Sequence, residues 1–453
     1  MPRKKFIKNK GPKSKEREPR MKIKKNFSRL RGMKDVLFDE YRYWELVIKK
    51  ATELARVYGF RRIKTPVLEN AELYERSSGK GSDIVTKEMY TFIDKNGEKV
   101  ALRPEATPSL VRAYIEHGMF NMPQPVKMFW LDSIFRHDKP QAGRYRQSHQ
   151  FNLEVIGEAS SVADFLIISI AYNFFRELQI KVQIQVNSIG CHECRKEYLI
   201  KLVDFYKERG KRSRLCNDCR KRLIKNPLRL LDCKEEKCIT LREEAPQIVD
   251  FLCDECREHF IKVLEYLDEL DIPYNLNPYL VRGLDYYSRT VFEIWPTDED
   301  GETAKGSLAL GGGGRYDGLV EYLGGRPTPA CGFGLGIERT ILKIKEKSIP
   351  LKKDFENLIF IAQLGEQAKR KVLVLFEELR RAGFKVRQAF TKESLKAQLE
   401  EANRIGAELS LILGQKEVID GTILLRDMES GIQEVIDYKK IKIELEKRLN
   451  NGD

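Results

Sequence analysis

The chain has 453 residues, enough for about three domains at roughly 100–200 residues each. Its 42% hydrophobic and 33% charged residues exclude a fully disordered chain or a small disulfide-stapled scaffold. One of the most apolar uncharged runs, between Asp164 and Arg176, is 11 residues, short of the roughly 18 a membrane-spanning helix needs.

The net charge of +14 is concentrated, since residues 1–26 hold 12 Lys or Arg against 2 Glu, which leaves +4 for the rest. Such a run cannot bury enough apolar surface to fold and reads as a flexible basic arm, able to touch a polyanion or simply to keep the chain soluble. No apolar core follows its lysines as a secretory signal requires, and Glu16 and Glu18 argue against a transit peptide.

After the arm, apolar residues from Tyr41 to Tyr58 recur at three- and four-residue steps and predict an amphipathic helix stopped by Gly59. Residues 61–68 read as a strand broken by Pro66. A hairpin follows around Asn96-Gly97, then a helix over 108–117 that Thr107 is placed to cap. Strands are predicted over 127–136 and 146–156, joined by the polar loop 137–145, and a helix over 162–178 leads to a strand over 181–187. There Val182, Ile184 and Val186 alternate with Gln183, Gln185 and Asn187, so one sheet face is apolar and the other is free as a polar ligand floor. Residues 189–275 interrupt the pattern as a helical insertion, and the sheet resumes over 279–295 and 330–337. A charged, proline-interrupted linker over 345–354 precedes alternating strands and helices, which predict a separate α/β domain with a mostly parallel sheet.

Gln150, Asn152 and Glu154 are two apart on one strand and share a face, either as a specific polar site or as a solvated surface. Arg136, Lys139, Arg144 and Arg146 surround that face and favour a phosphate-bearing ligand, because guanidinium groups bind phosphate oxygens bidentately. In CGFGLGIERT, Gly332, Gly334 and Gly336 alternate and leave one strand face bare for a flat ligand or another backbone, and Arg339 follows in the first turn of a helix.

FWLDSIFRHD followed by RYRQSHQFNLEVIG resembles motif 2 of the class II aminoacyl-tRNA synthetases, GFGLGIER resembles their motif 3, and the helix and strand ending at Pro66 resemble motif 1. LRPEAT (102–107), LVRGLDYY (280–287) and GGRYDGL (313–319) resemble the signatures of the histidyl-tRNA synthetase family. The resemblance implies an α+β catalytic domain over 27–344 with a mostly antiparallel sheet flanked by helices, and an α/β anticodon-binding domain over 355–453. It implies a ligase that activates L-histidine with ATP and transfers it to tRNA(His), with Mg2+ on the β- and γ-phosphates. Matched position by position, Arg136 would hold the α-phosphate, Arg339 the γ-phosphate, and Arg282 would act as a catalytic cation opposite Arg136. Glu105, Thr107 and Gln150 would take the amino group of histidine, and Glu154, Tyr287 and Tyr316, with Tyr286 beside them, the imidazole. Asp138 stands where motif 2 usually has a glutamate, one methylene longer, which leaves the adenine contact open. Gln141, Arg144 and Arg146 are candidates to meet the tRNA acceptor end. A homodimer formed through the motif 1 segment and a cytoplasmic location complete the expectation. The alternative is a histidine-sensing regulatory subunit of ATP phosphoribosyltransferase, which resembles the catalytic core but typically lacks the second domain and the intact arginines.

Eight of the nine cysteines fall between residues 191 and 256. In a reducing compartment, paired cysteines point to metal before disulfide. The spacing predicts a structural zinc quartet from Cys191, Cys194, Cys216 and Cys219, and a less regular one from Cys233, Cys238, Cys253 and Cys256. Buried free thiols are the plain alternative.

Overall fold

The computed structural model describes residues 27–79, 82–139, 141, 143–208, 210–298, 301, 303, 307–351, 356–389 and 391–450. The basic arm and part of the linker lie outside them. Two compact units divide between Ile349 and Pro350.

In the first unit the strands are β1 (Arg61–Arg62), β2 (Leu68–Asn70), β3 (Tyr90–Ile93), β4 (Lys99–Leu102), β5 (Val126–Phe135), β6 (Gln147–Ile156), β7 (Val182–Ser188), β8 (Tyr274–Leu276), β9 (Ser288–Pro296), β10 (Gly311–Arg315) and β11 (Ala330–Gly336). Eight of them form one sheet in the order β1-β5-β6-β11-β10-β9-β7-β8, while β2, β4 and β3 form a small second sheet. The outermost pairs, β1 with β5 and β7 with β8, are parallel, and the pairings between them are antiparallel.

Period-two alternation decides the layers. Phe151, Leu153, Val155, Phe333, Leu335, Phe292, Ile294, Ile184 and Val186 all point to one face, where helices Phe38–Val57, Ser161–Glu177, Asp254–Glu269 and Ile337–Glu346 bury them in a single core. The first of these helices inserts Trp44, Val47, Ala51, Leu54 and Ala55, as its spacing predicts, and ends where Gly59 takes a φ of +80°.

Several expectations are corrected. The break expected at Pro66 is present, since its missing N–H cannot continue a ladder, but the two pieces do not share a sheet: β1 joins the large sheet and β2 the small one. Thr107 does not cap its helix: Ala106 occupies the cap without a side-chain bond, and the Thr107 hydroxyl donates to Glu154 at 2.8 Å instead. The strand predicted over 279–295 begins only at Ser288, and the segment before it forms loops. The insertion is shorter than predicted, because helix Asp254–Glu269 belongs to the main core and β8 to the main sheet. Helix Ile337–Glu346 runs into the predicted linker.

The second unit adds β12 (Ile359–Gln363), β13 (Val386–Gln388), β14 (Leu409–Leu413), β15 (Thr422–Asp427) and β16 (Gln433–Asp437), in the order β13-β12-β14-β15-β16. Its sheet is mixed and not mostly parallel: β13, β12 and β14 are parallel, whereas β15 and β16 add antiparallel edges. The unbroken apolar run Leu358–Ala362 reflects helices on both faces of β12, since Ile359 and Ile361 enter one core and Leu358, Phe360 and Ala362 another.

Candidate active site

The polar sheet face opposite the main core is not solvated along its length, because Asn152 and Glu154 are buried. Glu154 accepts hydrogen bonds from Thr107 and from the Tyr316 hydroxyl. Burial, with the nearby charge of Glu105 adding, pushes its carboxyl up to about 8 against the hydrogen bonds that favour its ionised form. Glu105 accepts from Ser78 at 2.8 Å and Tyr286 at 2.7 Å, and burial raises its pKa as well. The rings of Tyr286 and Tyr287 lie 4.7 Å apart, and Tyr316 stands edge-on to both. Two carboxylates and three phenols thus form one buried cluster, and the buried Asn152 Oδ1 beside it has no hydrogen-bond partner.

Glycines make this crowding possible. β11 pairs Gly332 with Glu154 and Gly334 with Asn152. A Cβ on Gly332 would fall 1.7 Å from Glu154 Oε2, and one on Gly312 2.6 Å from Arg282 Nη1. At these positions the bare face admits neighbouring side chains and not a flat ligand. Arg282 donates to Glu293 at 2.7 Å and lies over the Tyr287 ring at 5.5 Å, and its buried Nε is without a partner.

The other end of the floor is cationic. Arg136 is tethered through Nε to the Pro104 carbonyl at 2.7 Å. Arg339 sits in the first turn of its helix and donates to the Ala309 carbonyl. Burial first, then the like charges of Arg144 and Arg136, pull its guanidinium below the ordinary value. Converged arginines that repel one another form a site for a polyanion. Gln150 lies between the two ends, opposite Asp132 on β5 and Gly336 on β11. Asp138 is paired with Arg144 inside the loop, and Arg146 Nε donates to the Asp138 carbonyl at 3.4 Å. Gln141 pairs with Arg144 through backbone hydrogen bonds.

Several supporting residues escaped the sequence reading. Fully buried Arg103 donates to the carbonyls of Ser133, Thr65 and Pro66 and pairs with Asp132 at 2.9 Å, so it pins the strand leading to Glu105 against β5. Equally buried Arg315 pairs with Asp164 and Asp317 and fixes the residue before Tyr316. Glu293 was legible in principle, as a lone charge inside the apolar run VFEIW.

The eight clustered cysteines also gather, but not as the spacing predicts. Cys191, Cys194, Cys253 and Cys256 form one group, and Cys216, Cys219, Cys233 and Cys238 the other, each with its sulfurs within 4.8 Å of one another. The helices of the insertion double back, so the first knuckle meets the last and the middle two meet each other.

The family model for histidyl-tRNA synthetase matches residues 32–340, and that for an anticodon-binding domain matches residues 356–448. The chain is 46% identical over 420 residues to a histidine–tRNA ligase of Dehalococcoides mccartyi, covering 92% of this chain and 99% of that protein. It is 41% identical to the same ligase of Natranaerobius thermophilus, over 91% and 97%. Among solved structures, apo histidyl-tRNA synthetase of S. aureus superposes with a TM-score of 0.78 at 32% identity, over 92% of this chain and 99% of that one. The sequence motifs, the buried carboxylates near an arginine cluster and these likenesses agree, and the chain belongs to the histidyl-tRNA synthetase family.

Proposed function

We propose that the pocket of Glu105, Glu154 and the three tyrosines binds L-histidine, and that Arg136 and Arg339 hold ATP beside it. The observation that carries this reading is the burial of two carboxylates next to mutually repelling arginines, which suits an amino acid with a basic side chain and a triphosphate. The histidine carboxylate attacks the α-phosphorus, an oxygen–phosphorus bond forms, the bond to the bridging oxygen breaks, and pyrophosphate leaves with the electron pair. The 3' ribose of tRNA(His) then takes the histidyl group from the adenylate and releases AMP.

Glu105, Thr107 and Gln150 serve the amino group, and Glu154, Tyr286, Tyr287 and Tyr316 the imidazole. Amino acids lacking its polar atoms would strand these buried groups, which gives discrimination without editing. Arg282 is a catalytic cation and Arg136 its counterpart on the α-phosphate. Mg2+ would enter with ATP and supply charge neutralisation to its phosphates, while Arg136 and Arg339 would hold the phosphate oxygens. Asp138, occupied with Arg144, orders the loop near adenine, and Gln141, Arg144 and Arg146 face the acceptor end of the tRNA. The cysteine insertion holds structural zinc and takes no part in the chemistry. ATP–pyrophosphate exchange measured against all twenty amino acids should respond to histidine alone. No exchange with any of them would overturn the reading and favour a regulatory, histidine-sensing role.

The enzyme works as a cytoplasmic homodimer. No helix among the described residues is long and apolar enough to cross a membrane. Around the motif 1 segment Leu68, Phe92 and Ile93 are exposed on the small sheet, with Phe38 and Tyr41 exposed on the preceding helix. Exposed apolar side chains of this kind are what a partner subunit can cover. Light scattering at micromolar concentration should give twice the chain mass, and a fully active monomer would count against the dimer.

A further inference from the structure

We propose that the insertion carries two nested four-thiolate zinc sites, and that the outer one, Cys191/Cys194/Cys253/Cys256, positions the histidine pocket. Tetrahedral zinc with sulfur at about 2.3 Å places its sulfurs about 3.8 Å apart. Here Cys191 and Cys194 sulfurs stand 3.5 Å apart, those of Cys216 and Cys233 3.8 Å, and all nine cysteines are free thiols. Spacings this short enclose one ion and leave no room for an iron–sulfur cluster. Backbone N–H groups already point at the sulfurs, from Cys253 to Cys194 at 3.1 Å, from Cys216 to Cys238 at 3.3 Å and from Cys219 to Cys216 at 3.3 Å. Such donors stabilise thiolate and orient it for metal.

The outer quartet lies where the insertion leaves and rejoins the catalytic sheet. The Gly190 carbonyl, one residue before Cys191, accepts from the Arg289 N–H at 2.9 Å. Arg195, one residue after Cys194, donates to the Tyr287 carbonyl at 2.7 Å. An ion on these four thiolates therefore fixes Arg195 against the backbone of a residue assigned to the imidazole, and this part of the inference rests on the functional reading above.

Full-length protein purified under reducing conditions should contain two zinc ions per chain by elemental analysis, one for each quartet. Nested pairing makes a specific prediction for double variants. Cys194→Ser/Cys256→Ser should keep one zinc and Cys194→Ser/Cys219→Ser should keep none, whereas pairing in sequence order reverses the two results. Should a variant fail to fold, cobalt replacement in the intact protein decides the count, because two equivalents should give tetrahedral thiolate absorption. One equivalent, none, or bound iron in place of zinc would overturn the proposal. In Cys194→Ser/Cys256→Ser the KM for histidine should rise roughly tenfold, the lower end of the worth of a hydrogen bond from a charged guanidinium, with the KM for ATP unchanged. An unchanged histidine KM would remove the positioning role. The metal count needs no activity, so it stands or falls apart from the synthetase assignment.

Discussion

Replacing Arg282 with alanine should lower histidine-dependent pyrophosphate exchange by about a hundred- to thousandfold, the usual worth of a group that stabilises charge in a transition state, with a smaller change in the KM for histidine. The side chain is prepared for that task. Glu293 holds one end, the Tyr287 ring lies beneath, and the absent side chain of Gly312 leaves the space it occupies. Its buried Nε has no hydrogen-bond partner. Lysine should rescue poorly, since a point charge cannot keep the Glu293 bond and reach the phosphate through a second nitrogen. If Arg282→Ala kept near-normal exchange at saturating histidine but lost affinity for it, Arg282 would be a binding residue and the catalytic assignment wrong.

Glu154→Gln should weaken histidine binding and change how the protein responds to alkali. With its carboxyl pushed up to about 8, folded Glu154 retains a proton that the unfolded chain releases near about 4.3. The associated stability is fully present below the unfolded value and is lost as pH rises through the folded one. Glutamine keeps the shape and never ionises. At pH 9 the variant should therefore resist urea better than the parent by a few kcal/mol, on the order of the linkage energy, and at pH 4 the two should match. The KM for histidine should rise roughly fivefold, as expected for loss of one neutral hydrogen bond. Identical urea profiles for parent and variant across this range would show that the carboxyl is not held neutral.

The pattern of the sequence revealed most of the sheet and the ends of the site. Alternation located the polar face of β6, and helical spacing located the covering helices, because both report one-sided burial directly. Four of the five residues of β10 are glycines, Gly311–Gly314, yet glycine has no propensity for a strand. The reason lies across the ladder, where a Cβ on Gly313 would stand 2.0 Å from the Gly332 carbonyl. Thr107 carries every local sign of a cap, and a distant carboxylate claims its hydroxyl. Arg315 and Asp164 are 151 residues apart, and nothing in either neighbourhood announces the pair. The cysteine pairing was misread for the same reason, since spacing favours adjacent knuckles and only the turns between helices decide which of them meet.

With a metal ion on each group, that nesting would set an order of events during synthesis. The inner group is complete once Cys238 has left the ribosome, and it closes the short chain segment from Cys216. The outer group waits for Cys256 and must close the whole stretch from Cys191, a longer loop with a larger entropic cost. With the inner module already compact, much of that stretch has ceased to be flexible. With both groups loaded, the nascent chain would assemble the insertion from its tip inward to its base, and residues 280–287 and the strands after them would emerge onto a finished support.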